Sequence, residues 1–253
     1  MSTTTRTTRT TPEPVRPEQV RLPGQAAAPE GPVDMLMMYV MHHAFRRDLR
    51  RFAVAAEHTP ATATATWVAL AERWDLFAEI LHGHHTGEDT ALWPALLERA
   101  DESERATLVA MEAEHARIDP LLTSCHELVH ALAAGPDAVQ ATRLRARLAL
   151  VLAQTRESLG RHLAHEESEA IAIIQRHLTQ EEWKRIEEEG FHEKRPISFL
   201  LHAVSWIADD LPPAARNRAF AEAGQAMRVV WWLGRRRYHR GTRAAFGFVP
   251  DAG

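Results

Sequence analysis

The chain has 253 residues, of which 45% are apolar and 25% are charged, and its formal net charge is −4. This length allows one substantial hydrophobic core with additions, and the mild charge excludes a protein drawn to nucleic acid by a strong positive field. Cys125 is the single cysteine, which excludes an intrachain disulfide and fits a reducing, cytoplasmic setting. No stretch reaches roughly 20 uninterrupted apolar residues, so we predict no transmembrane helix.

The first 32 residues differ in composition from the rest of the chain. Thr, Pro and Arg dominate this stretch, and it has no helical or alternating pattern of apolar residues. A segment without such a pattern has little to bury, and without an apolar run it is not a secretory signal. We therefore predict that residues 1–32 form a disordered leader.

Four amphipathic helices are predicted next. In chain order they run from about Asp34 to His58, from Ala61 past Glu88 to a kink at Pro94, from Asp101 to Gly135, and from Asp137 onward. Short connections favour antiparallel neighbours, and no sustained period-two alternation indicates strands. We predict an all-α fold in which residues 33–178 form an up-down-up-down four-helix bundle.

Residues 179–253 have a different character. A capping box at Thr179 and Glu182 opens a short acidic helix, an apolar segment follows over 197–211, and Pro212-Pro213 start a last helix. This part is too short for a core of its own, so we predict a helical appendage packed on the bundle. The basic aromatic end, which includes Trp231, Trp232 and 235–237, has two interpretations. We favour cations that complement the helix dipole over a contact with a protein or a membrane surface.

Two segments share the pattern His-x-x-x-Glu-acid. One runs from His84 to Glu88 and Asp89, and the other from His162 to Glu166 and Glu167. Helix positions i and i+4 share a face, with Cβ atoms about 5–6 Å apart, so each imidazole and carboxylate can reach one metal ion. Both pairs fall on apolar faces, where an unpaired carboxylate is costly. Metal coordination explains their position there.

Two further histidines stand three residues before a large apolar residue, His42 before Phe45 and His115 before Ile118. The order His, His-x-x-x-Glu thus occurs twice, as expected for one helical hairpin used twice. Only one of the adjacent His42 and His43 can face the core, and the match with His115 favours His42. Symmetry suggests two sites of two histidines and one carboxylate, typical of non-haem iron, and either glutamate could bridge two ions. The predicted metal ligands are His42, His84, Glu88, His115, His162 and Glu166.

The remaining polar residues of these helices receive outer or structural roles. Asp89 and Glu167 are candidate hydrogen-bond acceptors for the ligands, with solvated carboxylates as an equal alternative. His126 and His130 lie about 16–22 Å along the helix from His115, so we expect histidines with polar partners in the bundle. Cys125 is expected to be a small core residue. Three histidines fall off the inner stripe and are expected at the surface or at the bundle ends: His82, His85 and His165.

The order His … His-x-x-x-Glu … His … His-x-x-x-Glu is similar to the hemerythrin HHE-type cation-binding domain. The resemblance covers about residues 34–178, and the blocks 41–49 and 88–94 resemble bacterial, especially actinobacterial, members. It implies two non-haem, oxo-bridged iron ions and a small oxidant (O2, H2O2 or NO) as the partner. Ferritin-like bundles use Glu-x-x-His, the reverse order, which argues against that class.

The third helix departs from the family's pattern. Oxygen-carrying hemerythrins have His-x-x-x-His there, whereas this chain has His115 and then Asp119. Asp119 could bind metal, orient His115 or point away. A poorer nitrogen set favours turnover over oxygen carriage, and some relatives with a reduced set act on H2O2 or reduce O2 with a reduced deazaflavin.

We therefore expect an oxidase or a peroxidase- or catalase-like protein, with an external reduced flavin or deazaflavin as candidate electron donor. No catalytic side chain beyond the metal ligands is predicted. The alternative is an oxygen or nitric-oxide sensor, or an iron-binding protein, that signals through its appendage. A structural bundle without metal is the third hypothesis.

Overall fold

The computed structural model describes residues 16–191 and 195–250, which contain helices and no strand. None of the described helices is long and apolar enough to cross a membrane. The predicted all-α class is confirmed. In chain order the helices are α1 (Leu36–His58), α2 (Thr64–Gly87), α3 (Trp93–Leu97), α4 (Glu102–Ala133), α5 (Ala138–His165), α6 (Ile171–His177), α7 (Gln180–Gly190), α8 (Ile197–Ala208), α9 (Pro213–Ala223) and α10 (Gln225–Ala245).

Short polar residues begin several helices where the sequence predicts them. The Asp101 side chain accepts a hydrogen bond from the backbone of Glu104, whose side chain accepts one from Asp101 N in return. Thr179 and Glu182 form the same capping box at the start of α7. Asp137 caps α5 by accepting from two backbone amides. These contacts satisfy amides that have no partner within the helix.

The four long helices, α1, α2, α4 and α5, contact one another in a closed cycle. α1 packs on α2 and α5, and α4 packs on the other sides of α2 and α5. Each long helix therefore has two neighbours within this group, so its buried face is wide enough to contact both of them. Aromatic rings fill much of the space between them, including Phe45, Phe52, Trp74 and Phe77.

A π-helical turn interrupts the helix at the same point of both His-x-x-x-Glu motifs. The turn Glu88–Leu92 joins α2 to α3, and the turn Glu166–Ala170 joins α5 to α6. Each turn begins at the glutamate of its motif. A π turn widens the helix locally and is common at functional sites. The kink expected at Pro94 therefore starts earlier, at Glu88.

Residues 16–32 lie against the helices, contrary to the prediction of a disordered leader over 1–32. Gln19 and Gln175 both donate to the carbonyl of Val33, and the backbone amide of Ala26 donates to Glu167. Leu22 and Ala28 are buried. Side chains far along the chain supply these partners, so composition alone does not predict them. Residues 1–15 lie outside the described residues.

The appendage predicted after residue 178 packs on the long helices. α8 lies against α1 and α10, α10 lies against α2, and α7 lies against α2 and the first π turn. The single last helix predicted from Pro212 onward is two helices. Gly224 separates α9 from α10 with φ +87°, a left-handed conformation that favours glycine.

A cluster of buried charges joins the appendage to α1 and α2. Asp48 is fully buried and accepts hydrogen bonds from Arg47, Arg73 and the indole of Trp206. Arg73 also contacts the hydroxyl of Tyr238 on α10. Burial acts to raise the pKa of Asp48, but the two guanidinium groups outweigh it and hold that pKa well below its usual range. These five residues are called the Asp48 cluster below.

Candidate metal centre

The structure brings all six predicted ligand residues together between the four long helices. His42 comes from α1, His84 from the end of α2, His115 from α4 and His162 from the end of α5, with the two glutamates at the starts of the π turns. None of the six is more than 5% exposed. Together with His85 they are called the His/Glu cluster below.

The first group of ligand atoms in this cluster belongs to four residues: His42, His84, Glu88 and Glu166. One nitrogen or oxygen from each lies within 4.8 Å of the others. His42 Nε2 is 3.2 Å from Glu166 Oε2, and His84 Nε2 is 3.2 Å from Glu88 Oε1. Two imidazoles and two carboxylates suit a first-row transition metal such as iron or manganese, or zinc.

The second group consists of three histidines: His85, His115 and His162. Their ligand nitrogens also lie within 4.8 Å of one another. His115 Nε2 and His162 Nε2 are 3.1 Å apart, and the rings of His85 and His115 stack with centroids 3.9 Å apart. This group is richer in nitrogen than the first.

The two glutamates lie between the groups. Glu88 Oε1 approaches His84 Nε2, while Glu88 Oε2 lies 3.4 Å from His115 Nε2. Glu166 Oε2 is 3.2 Å from His42 Nε2 and 3.9 Å from His162 Nε2. Each carboxylate can therefore serve both groups. The symmetric expectation of one carboxylate per site gives way to two shared carboxylates.

His85 was expected at the surface or at a bundle end, and that prediction is wrong. The residue is 4% exposed and belongs to the second group. Successive helix residues are about 100° apart. Because α2 packs on both α1 and α4, two successive residues of α2 can both face the interior. The equivalent residue of the second motif, Leu163, is buried and apolar, and this was the sequence signal for His85.

Asp119 takes the last of its three possible roles and points away. Its side chain is exposed, and its carbonyl accepts a hydrogen bond from Thr123. The family pattern places a second histidine at the position of Asp119. In this structure the additional histidine is His85, which comes from α2. The cluster thus contains five histidines. The preference for turnover over oxygen carriage rested on a poorer nitrogen set, and that reason no longer holds.

Carboxylates behind the cluster hold the histidine rings. Glu167 Oε1 lies 3.0 Å from His42 Nδ1, and Asp89 Oδ1 lies 2.8 Å from His115 Nδ1. Each is the residue after a motif glutamate, and each contacts the single histidine of the other half. Arg46 fixes Glu167 with hydrogen bonds of 2.7 and 2.9 Å. The outer hydrogen bonds foreseen for Asp89 and Glu167 are present.

Glu114 is a partner that the sequence did not single out. Its two carboxylate oxygens lie 3.0 Å from Nδ1 of His162 and 3.0 Å from Nδ1 of His165. It immediately precedes His115, so it occupies a partly exposed position beside the cluster. His165 is itself 28% exposed and His82 is exposed, as expected for residues off the inner stripe.

The hydrogen bonds to Nδ1 determine which nitrogen is free in the neutral rings. A neutral imidazole that donates Nδ1–H to a carboxylate keeps a lone pair on Nε2. His115 donates to Asp89 and His162 donates to Glu114 in this way. Their Nε2 atoms, 3.1 Å apart, then direct lone pairs into the same space. Such a pair is repulsive unless a cation lies between the nitrogens.

Unpartnered buried atoms provide a second test of whether a metal fits. Burying such an atom without a hydrogen bond costs about 1–3 kcal/mol, so several in one place require a compensating ligand. A pair of metal ions would satisfy these atoms except one ring nitrogen of His85, because a neutral imidazole offers a metal ion a single lone pair. Within the described residues, the buried cluster atoms without a hydrogen bond are Nε2 of His42 and His84, both ring nitrogens of His85, and both carboxylate oxygens of Glu88 and Glu166.

The pKa values of the cluster residues show that these side chains do not neutralise one another's charges by themselves. Burial acts to lower the pKa of His42, but Glu166 and Glu167 outweigh it and raise that pKa to about 9. Burial, with neighbouring histidines, lowers the pKa of His84 to about 3. Burial and the adjacent Glu166 raise the pKa of Glu88 well above its ordinary value. Two carboxylates placed this closely favour a cation between them.

The appendage closes the side of the cluster that carries His84. The ring of Phe191, just after α7, lies 6.0 Å from the His84 ring. Gly87 and Gly190 allow this approach, because a Cβ on Gly87 would meet the Gly190 carbonyl at 2.8 Å. Phe45 lies 5.2 Å from His84 and 5.5 Å from Trp206, which links the cluster to α8.

His43 shows how the adjacent pair on α1 divides its roles. Both residues are buried, but only His42 faces the His/Glu cluster. His43 Nε2 lies 3.2 Å from the carbonyl of Asp210 in the appendage, and burial lowers its pKa. The predicted preference for His42 as the inward residue agrees with this geometry.

Fold and cluster together define a helical protein with a buried histidine and carboxylate metal centre. A family model described as the hemerythrin HHE cation binding domain matches residues 36–174, more than half of the 253-residue chain. The chain belongs to this family, whose defining property is cation binding. The suspected resemblance is therefore confirmed. Comparisons with curated proteins and with solved structures gave no match.

Proposed function

We propose that the chain is a non-haem di-iron protein that binds and processes a small oxidant, either O2, H2O2 or NO. The bundle of residues 33–178, in up-down-up-down order, would hold one ion in each group of the His/Glu cluster. The observation that carries this proposal is the set of buried nitrogen and carboxylate atoms without hydrogen bonds, which converge in two adjoining groups.

The side chains have distinct roles in this proposal. His42 and His84 hold one ion, His85, His115 and His162 hold the other, and Glu88 and Glu166 are shared. Iron, when bound, supplies a position for the oxidant and the electrons for its reduction.

The first group offers one nitrogen fewer than the second, so we place the oxidant on that side. Three carboxylates orient three of the rings by accepting the Nδ1 proton of each. Asp89 accepts from His115, Glu114 from His162 and Glu167 from His42. The Phe45 and Phe191 rings beside His84 limit access of water.

A sensor is the second candidate function, and the contacts of the appendage favour it. Phe191 and, through Phe45, Trp206 connect His84 with α7 and α8. A change at the first group could therefore reach the appendage by packing alone. Turnover separates the two candidates. Oxidant-dependent oxidation of a reduced flavin or deazaflavin, or rapid peroxide breakdown, supports the enzyme, whereas stable binding without turnover supports the sensor.

Metal analysis of untagged protein by mass spectrometry tests the proposal itself. Purified protein should carry about two iron ions per chain and show an oxo-bridge absorption band. The double variant His84→Ala, His162→Ala removes one nitrogen from each group and should lose both signals. His82→Ala, an exposed histidine of α2, is the matched control and should keep them. A double variant that retains full iron would refute the proposal.

We also propose that α10 contacts an anionic membrane surface. The dipole explanation requires cations in the last turn, but α10 continues to Ala245, so 235–237 lie more than two turns inside it. The helix has no acidic residue, and Val229, Trp232 and Leu233 are 56–58% exposed beside its exposed arginines. Exposed apolar groups with basic neighbours match the interface of an anionic bilayer.

Vesicle co-sedimentation tests this contact. Vesicles rich in phosphatidylglycerol should retain the protein, and phosphatidylcholine vesicles should not. Arg236→Ala with Arg240→Ala should reduce retention several-fold. Arg143→Ala with Arg147→Ala makes the same charge change on the exposed face of α5 and should leave it intact. Equal retention on both vesicles, or equal loss in both variants, contradicts the contact.

A further inference from the structure

A second group of metal-ligand side chains lies on the surface, away from the His/Glu cluster. Asp75 of α2 meets His126 and His130 of α4, and their side chains are 47%, 52% and 42% exposed, respectively. His126 is eleven residues beyond His115, which corresponds to about 16 Å of helix. These three residues are called the surface triad. The histidines have the polar partner expected from the sequence, but they lie at the surface.

The ligand atoms of the surface triad converge closely enough for one ion. His126 Nδ1, His130 Nε2 and Asp75 Oδ1 all lie within 4.8 Å of one another. Asp75 Oδ1 is 3.2 Å from His126 Nδ1 and 2.8 Å from His130 Nε2. A tetrahedral zinc ion with bonds of about 2.0–2.1 Å separates its ligand atoms by about 3.3 Å. Small rotamer changes would bring the three atoms to that spacing.

The spacing in the chain holds two of these ligands in place. His126 and His130 are i and i+4 on one helix, and their ring centroids lie 4.3 Å apart. Asp75 comes from the neighbouring long helix, so a shared ion would tie α2 to α4. Two imidazoles and one carboxylate, with water at the remaining position, form the common donor set of an open zinc site.

Hydrogen bonding alone explains these contacts less well. The approach of His130 to Asp75 is a hydrogen bond of 2.8 Å, whereas His126 Nδ1 lies 3.2 Å from the same oxygen outside hydrogen-bond geometry. Exposed ion pairs contribute little to stability, so pairing gives little reason to gather two histidines on one carboxylate oxygen.

We propose that the surface triad is a second metal site, which binds one borderline divalent cation of the zinc class. The ion is held by His126 Nδ1, His130 Nε2 and Asp75 Oδ1, with water completing its coordination. It clips α2 to α4 about three to four helical turns along α4 from His115. The site does not depend on the di-iron proposal, because it shares no residue with that cluster.

Calorimetric titration with zinc tests the site in two forms of the protein. The iron-loaded protein and the double variant His84→Ala, His162→Ala should each take up one zinc ion at the triad. Five residues of the His/Glu cluster remain in the double variant, so His126→Ala is added to it as a comparison and should weaken this uptake about tenfold or more. That comparison separates the two sites even if the di-iron proposal fails.

Single variants identify the ligands. His126→Ala, His130→Ala and Asp75→Asn should each weaken zinc binding about tenfold or more, because each removes one of three ligands. His82 is an exposed histidine on the same helix as Asp75. The control variant His82→Ala should therefore bind zinc as the parent protein does. Full affinity in Asp75→Asn, or no saturable zinc uptake by the parent protein, overturns the proposal.

Discussion

Two clusters of buried polar groups lie side by side in this protein, and they differ in what satisfies them. In the Asp48 cluster, Arg47, Arg73 and Trp206 supply the donors that the carboxylate needs. In the His/Glu cluster, Glu88 and Glu166 have no hydrogen-bond donor among the described residues. The ring of Phe45 contacts both Trp206 and His84 and so joins the two clusters. The comparison suggests that the first cluster is complete as folded and that the second requires an ion.

A half-buried carboxylate on α7 behaves differently from those of both clusters. Burial, with Glu222 nearby, raises the pKa of Glu187 on α7 to about 7. The raised pKa means that this carboxyl group keeps its proton to a higher pH than an exposed glutamate does.

Removing Asp48 should have the largest effect on stability. Asp48→Ala leaves Arg73 buried without its counter-charge and leaves Arg47 with only the more distant carboxylate of Asp209, so we expect the free energy of unfolding to fall by about 3–5 kcal/mol. Urea denaturation measures this loss with and without bound iron. Iron per folded chain should stay unchanged. If Asp48→Ala is as stable as the parent, or folds fully but loses its iron, the distinction between the two clusters is broken.

Iron removal should have the next largest effect, and it should act through the His/Glu cluster. A ligand present at 100 times its dissociation constant stabilises the folded state by about 2.7 kcal/mol. Iron-loaded protein should therefore unfold at a higher urea concentration than chelated protein. The double variant His84→Ala, His162→Ala should show no such difference. Identical midpoints for loaded and chelated parent protein would contradict the account.

The protonated carboxylate predicts a smaller, pH-dependent effect. Glu187 has a folded pKa of about 7 against an ordinary value of 4.5, so the folded state holds the extra proton between these values. Its stabilising contribution is complete below pH 4.5 and is lost as the pH rises through 7.

With allowance for solvent screening, the parent should lose about 1 kcal/mol between pH 5 and pH 8 relative to Glu187→Gln. Denaturation curves at the two pH values measure this difference. Parallel changes in parent and variant would show that Glu187 does not hold the proton.

The smallest stability change is expected at the wall of the His/Glu cluster. Phe191→Ala removes a half-buried ring beside His84, and we expect a cost of about 1 kcal/mol or less. Loss of this cover should speed the removal of iron by a chelator several-fold. Stopped-flow absorbance follows the rate, and Phe248→Ala, which removes an exposed ring, is the control. Equal rates in all three proteins would exclude a covering role for Phe191.

The sequence predicted the parts of the fold that depend on local pattern. The i, i+4 spacing of His84 with Glu88 places both on one face, and the capping residues at Asp101 and Thr179 mark helix starts. These features need only the helix period and local hydrogen bonds. The six residues of the repeated motif lie together in the structure, and their role as metal ligands stays a prediction.

Features that depend on packing between distant segments were not predictable in this way. His85 is buried because α2 has two neighbours, which the helix period alone does not reveal. The order of residues 16–32 depends on Gln175 and Glu167, more than 100 positions further along the chain. The π turns at the motif glutamates leave no mark in the apolar pattern.

We propose that five histidines and two shared glutamates hold two ions, with His85 as the fifth histidine. The most direct test of this proposal is the iron content of three proteins measured side by side by mass spectrometry: the parent, His85→Leu and Asp119→Ala. The parent and Asp119→Ala should carry about two iron ions per chain, while His85→Leu, which copies Leu163 of the other motif, should carry about one or fewer. Full iron in His85→Leu, or loss of iron in Asp119→Ala, would contradict the account.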